Sequence, residues 1–175
     1  MQLQKLSPLA FFCLFNSSIY SYTISDIDGN EVSMDSFQHK KILFVNIATG
    51  SAYASQLGEL QQLQQQYGDS LVVIGFPSNS FSNEGRTNAQ IKDFCQSQYG
   101  VNFLLAEKAA VKGGSIQPVY QWLTKLSENG QLNTSVQDDF QKYVVDSNGE
   151  LIGVFKGIVS PLDTQITSLI TGTFN

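Results

Sequence analysis

Hydrophobic and polar positions change rhythm several times along this chain, and the order of the changes predicts its elements. Tyr20, Tyr22 and Ile24 alternate with Ser21 and Thr23, the period of a half-buried strand. Asp28-Gly29 is a hairpin signal, and Glu31 to Met34 is the returning strand. Ile42 to Ala48 is apolar except for Asn46, which predicts a central strand covered on both faces. Tyr53, Leu57, Leu60, Leu63 and Tyr67 then share one face of a helix that Gly68 ends. The other face of that helix is rich in glutamine and solvated. Leu71 to Phe76 is a second buried strand. Thr87 and Gln90 form a capping-box pattern before a helix lined by Ile91, Phe94, Cys95 and Tyr99. Val101 to Leu105 is a short apolar segment. Pro118 opens a helix facing inward through Val119, Trp122, Leu123 and Leu126, and Gly130 closes it. Phe140 to Val145 and Leu151 to Lys156 are strands joined by the tight turn Ser147-Asn148-Gly149. Ser160 to Asp163 combines a capping box with a first-turn proline, ahead of a last helix buried through Leu162, Ile166, Leu169 and Ile170.

A hairpin, a βαβ unit, a helix, a second hairpin and a last helix form a thioredoxin-like order. The fold class is therefore α/β: a mixed central sheet with helices on both faces and an N-terminal β-hairpin. The turn Thr49-Gly50-Ser51 joins the first buried strand to its helix, so it lies at the carboxyl end of the sheet, where open α/β folds place their chemistry. Backbone N–H groups and the helix dipole there favour negative charge.

Composition narrows the chemistry. At 175 residues the chain is long enough for one domain with a real core. The charged fraction is 14% and the net charge −5, which excludes the clustered Lys and Arg of a nucleic-acid binder. Cys13 and Cys95 are too few for a disulfide framework, and His39 is the only histidine, which excludes a metal site built from several His and Cys. Residues 1–18 stand apart from the domain that starts at residue 19. Lys5 precedes an apolar run from Leu6 to Phe15, too short to span a bilayer. It reads as a secretory signal, or else as an N-terminal arm. The first reading implies a periplasmic or secreted protein, the second a cytoplasmic one.

Several stretches, in order, are similar to the glutathione peroxidases, especially the compact bacterial type. They are SIYSYTISDIDGNEVSMDSF, ILFVNIA, LVVIGFPSN, FCQSQYGVNF, PVYQWLT and FQKYVVDSNGELIGVF. The resemblance runs from Ser18 to about Thr171. It implies a peroxidatic Cys or selenocysteine in the turn after the first buried strand, a glutamine in the next strand's loop, and a Trp-Asn pair before the late hairpin. It implies reduction of hydroperoxides with glutathione or thioredoxin in the oxidative stress response, with no bound cofactor. The chemistry needs a thiolate, stabilised by the surrounding N–H donors.

The chain departs from the family at each of those positions. The motif N-V-A-S-x-C-G reads Asn46 to Ala52, with Ser51 at the peroxidatic position. Ser80 stands at the glutamine position, Asp138 at the tryptophan position and Asp139 at the asparagine position. The G-G-Q-E-P loop has become Ser82 to Arg86, one residue shorter. Asn46, Phe76, Pro77, Phe81 and Phe140 are kept. The expected function is a family member that has lost thiol peroxidase activity, a pseudoenzyme. One alternative is an active peroxidase. Another is a module that binds a hydroperoxide, another small polar ligand or a partner in the former active site. A hydrolytic use of Ser51 with Asp138 and Asp139 would need an adjacent base, and His39 falls in the turn before the central strand. A hard cation held by Asp138, Asp139 and Glu84 would use oxygen ligands, without the dense spacing of a dedicated loop. Cys95, beside Phe94 on an apolar face, reads as a buried inert thiol, and Trp122 reads as core.

Overall fold

The computed structural model describes residues 17–173. The leader read from the sequence, with Cys13, lies almost entirely outside the described residues. A 3-10 turn at Ile19–Ser21 leads into a two-stranded antiparallel hairpin, β1 (Thr23–Ser25) and β2 (Glu31–Ser33). The predicted first strand is thus shorter. Tyr20 falls in the 3-10 turn, and the Ser18 hydroxyl accepts from its N–H at 3.3 Å.

The main sheet contains β3 (Lys41–Ile47), β4 (Leu71–Pro77), β5 (Leu104–Leu105), β6 (Lys142–Val145) and β7 (Leu151–Phe155). Its spatial order is β5-β4-β3-β6-β7, with β3, β4 and β5 parallel and β6 and β7 antiparallel. This is the mixed sheet expected. The first hairpin extends it at the β5 edge, where Ile27 N–H donates to the Leu105 carbonyl at 2.8 Å.

Alternate residues of β3 feed two cores. Leu43, Val45 and Ile47 pack on one face with Leu57, Leu60 and Leu63 of α1 (Gln56–Tyr67), Ile91 and Cys95 of α2 (Asn88–Tyr99), and Ile166 and Ile170 of α5 (Thr164–Thr171). Ile42 and Phe44 pack on the other with Ile24 of the hairpin, with Met34, which falls in a 3-10 turn after β2 and not in the returning strand, and with Val119, Tyr120, Trp122 and Leu123 of α3 (Pro118–Thr124). Helices therefore cover both faces. No helix among the described residues is long and apolar enough to cross a membrane.

The capping box at Thr87–Gln90 is present with both of its bonds, and Gly100 ends α2 in the left-handed conformation. The strand read from Phe140 begins only at Lys142, because Phe140 is in the left-handed conformation and cannot continue a ladder. Three helix boundaries also differ from the sequence reading. The Pro118 helix stops at Thr124, and a separate turn, α4 (Leu126–Asn129), follows. Leu126 is accordingly exposed, not buried, because Asn133 accepts its N–H and reverses the chain there. The last helix is capped by Asp163, whose carboxylate accepts the Gln165 N–H at 2.8 Å; Ser160 and Pro161 form a turn before it. The first helix begins at Gln56, not Tyr53.

Candidate functional site

Three loops meet at the carboxyl ends of β3 and β4: the Ser51 turn, the loop from Ser78 to Arg86, and the segment from Gln137 to Phe140. Asn46 fastens the third to the sheet. Its Nδ2 donates to the Asp138 carbonyl at 2.9 Å, and its own carbonyl accepts the Phe140 N–H at 2.6 Å. Phe140 is completely buried with φ +60°, a left-handed conformation that a bulky residue adopts only when its surroundings impose it.

The second loop is tied to the first by a buried carboxylate. Glu84 accepts from Thr49 N–H at 2.6 Å and Thr49 Oγ1 at 2.9 Å, and Arg86 donates to the same hydroxyl at 2.6 Å. The Arg86 guanidinium also lies over the Phe94 ring, 4.7 Å from its centroid. Gly50 is required at the crossing: a Cβ there would come within 2.7 Å of the Asn83 carbonyl oxygen. Glu84 is thus spent on the scaffold and does not join Asp138 and Asp139 as a cation ligand. Among the described residues no three His, Cys, Asp or Glu side chains cluster as a metal site.

Ser51 is half-buried. Its hydroxyl accepts the Tyr53 N–H at 3.2 Å. Between it and α1 lie 3-10-type bonds, Ala54 N–H to Ser51 O, Gln56 N–H to Tyr53 O and Leu57 N–H to Ala54 O. The helix terminus is therefore set back from Ser51. Its dipole acts mainly within the first turn, so Ser51 receives less of it than the sequence pattern suggests.

Asp139 faces Ser51 and is almost wholly buried. Asn83 donates to one of its oxygens at 2.6 Å, while the other is buried without a partner. Burial raises the Asp139 carboxyl above its ordinary value, the hydrogen bond from Asn83 and the nearby Ser51 hydroxyl oppose this, and the charges of Asp138 and Glu84 add to it. Asp138 is half-buried and opens onto a cavity of about 380 Å³ bounded also by Tyr53, Gln137, Gln141, Lys156 and Ile158. Asp138 alone of the two aspartates borders it. Ser80 is elsewhere. Its hydroxyl accepts the Val111 N–H at 3.1 Å, bonds Ser78 at 2.9 Å, and borders a separate cavity with Lys108. Ser51 and Asp139 thus come together, Asp138 stands beside them, and Ser80 turns toward the loop after β5.

One buried residue of the site was missed in the sequence. Lys142 in β6 is fully buried, and its Nζ donates to Gln56 Oε1 at 2.5 Å, Gly157 O at 3.0 Å and Val159 O at 2.5 Å. Strand parity signals it: Lys142 lies between Phe140 and Val144, both of which enter the α1 and α5 core. Burial pushes the Lys142 ammonium down to about 7, with Glu59 opposing. Between that value and the ordinary lysine range the unfolded chain holds a proton the folded chain lacks, so stability rises with pH across the window. Urea unfolding should show wild type gaining about 1 kcal/mol per pH unit above pH 7 relative to Lys142→Met. Equal slopes in the two proteins would contradict this.

Cys95 is fully buried, and burial pushes its thiol up to about 12, with the Glu84 charge adding and Arg86 opposing. The burial expected of Cys95 is present. In native protein it should resist thiol reagents at pH 7–9 and react only on unfolding.

A family profile described as glutathione peroxidase matches residues 19–124. The chain is 34% identical over 158 residues to "Glutathione peroxidase homolog BsaA" of Bacillus subtilis (strain 168), covering 87% of this chain and 98% of that one. It is 34% identical over 160 residues to "Glutathione peroxidase-like peroxiredoxin 2" of Saccharomyces cerevisiae, covering 89% and 98%. Among solved structures, Trgpx in its apo form superposes with a TM-score of 0.65 at 26% identity, covering 89% of this chain and 96% of that one. With this agreement along nearly the whole described length, the chain belongs to the glutathione peroxidase family.

Proposed function

We propose that this protein has lost the thiol peroxidase chemistry of its family and acts by binding at the cleft beside the Ser51 turn. One observation supports the reading: the Ser51 hydroxyl faces the buried carboxylate of Asp139, at positions that the motif resemblance assigns to a thiolate and an amide donor. A hydroxyl ionises far above a thiol, whose unperturbed value is about 8.5. It also cannot form the sulfenic acid through which a peroxidatic cysteine reduces peroxide. The carboxylate in place of an amide offers repulsion to a developing anion. Ser80 offers no donor toward Ser51, and Asp138 replaces an indole N–H with an acceptor.

Relatives named as glutathione peroxidases and peroxiredoxins supply the second reading, an active enzyme whose only candidate thiol among the described residues is Cys95. A coupled assay with hydrogen peroxide or an organic hydroperoxide, with glutathione or thioredoxin as reductant, separates the two. Turnover at the level of a heat-inactivated control is expected. Turnover well above it that Cys95→Ser abolishes would establish the second reading.

A further inference from the structure

We infer that the cavity bounded by Asp138 and Lys156 binds a small zwitterion of the amino-acid type carrying an apolar side chain. This rests on the reading that the cleft binds rather than reacts. The cavity, about 380 Å³, is of the size used for compact organic ligands. Its charges are of opposite sign. One Asp138 oxygen accepts the Asp139 N–H at 2.8 Å, and the other has no hydrogen bond among the described residues. Lys156 is exposed and forms no ion pair among the described residues, where Lys92–Asp28 is the only salt bridge. A ligand ammonium can therefore pair with Asp138 and a ligand carboxylate with Lys156, each as a charge-assisted bond.

The remaining wall supplies an apolar contact. Ile158 is 71% exposed, far more than any other large hydrophobic residue among those described. Tyr53 stands beside it, half-buried and packed on the core. An apolar side chain laid between them would remove both surfaces from water. Gln141 offers no free donor, because its Nε2 already serves Ser135 O and Tyr143 Oη. The wall is held rigidly, since Lys142 and Gln56 both donate to Gly157 O and Lys142 also donates to Val159 O. A preformed wall spares a ligand the cost of ordering it. The net charge of −5 favours a ligand without excess negative charge.

Calorimetric titration of the full chain with L-phenylalanine, 2-phenylethylamine, 3-phenylpropionate and glutathione tests this. L-Phenylalanine should bind, with each single-charge analogue about tenfold weaker. Asp138→Asn should weaken L-phenylalanine and 2-phenylethylamine about tenfold and leave 3-phenylpropionate unchanged, whereas Lys156→Met should weaken L-phenylalanine and 3-phenylpropionate about tenfold and leave 2-phenylethylamine unchanged. Thermal unfolding confirms that both variants fold. The inference is overturned by no heat with L-phenylalanine, by binding indifferent to both substitutions, or by glutathione binding more tightly than L-phenylalanine. Absence of binding together with absence of peroxide turnover would overturn this inference alone. Peroxide turnover would overturn the loss of activity whatever binds.

Discussion

Replacing Gly157 with alanine should destabilise the protein by about 3 kcal/mol, among the larger effects of a single methyl. A Cβ at this position would come well inside van der Waals contact distance of the Asp139 carbonyl oxygen, and would lie 3.2 Å from Tyr53 Cε2. Neither side can yield easily. Asp139 is flanked by Asp138, fastened to Asn46, and by Phe140, in its left-handed conformation. Gly157 itself is held from behind by the amide of Gln56 and the ammonium of Lys142. The melting temperature should fall by about 6–12 °C for a chain of this length. Gly85→Ala is the control, since its Cβ would meet nothing within 4 Å, and it should change stability by less than about 1 kcal/mol. Equal melting temperatures for Gly157→Ala and wild type would show that the β7–α5 loop does not press on the Asp139 segment.

Restoring the thiol should not by itself restore the enzyme. Ser51→Cys is expected to leave hydroperoxide reduction near background. Adding Asp139→Asn should raise the thiolate fraction, and with it the rate, about tenfold for each unit by which the thiol pKa falls. The cause is the carboxylate that faces position 51. Once ionised it opposes a thiolate, whereas an amide donates to one. The gain from Asp139→Asn should therefore grow as pH rises through the ionisation of Asp139. The set-back helix terminus gives little compensation, and Ser80 is engaged with Val111. The rate of alkylation at position 51 against pH, in a Cys13→Ser background, measures the thiol pKa directly. A single Ser51→Cys variant with a depressed pKa and full peroxide turnover would show that the scaffold still activates a nucleophile.

Much of this was legible in the sequence because the governing physics is local. Buried strands announced themselves as unbroken apolar runs, and the Thr87–Gln90 capping box formed as spelled. The meeting of Ser51 with Asp139 followed once the chain was aligned by its motifs. Other features were hidden because they depend on distant partners. Tyr53 and Ala54 continue the helical apolar pattern, and 3-10 turns nearly share its period, so the gap between Ser51 and α1 left no trace. Ser160-Pro161 resembled a helix start, but Asp163 competed successfully for the cap. Lys142 could be placed inward by strand parity, yet its acceptors come from α1 and from the β7–α5 loop, far away in sequence. The division of Asp138 and Asp139, one bordering a cavity and one buried, follows from the turn of the backbone at Phe140.

The central claim concerns the first chemical step, so the most direct test omits every reductant. The reduced full-length protein is mixed with hydrogen peroxide or an organic hydroperoxide, and the peroxide remaining is followed with time. Each cysteine is then examined by mass spectrometry. We expect peroxide to decay at the rate of buffer, with Cys95 and Cys13 both unmodified. Rapid consumption of an equimolar amount of peroxide, with an oxygen added to either cysteine, would contradict the account.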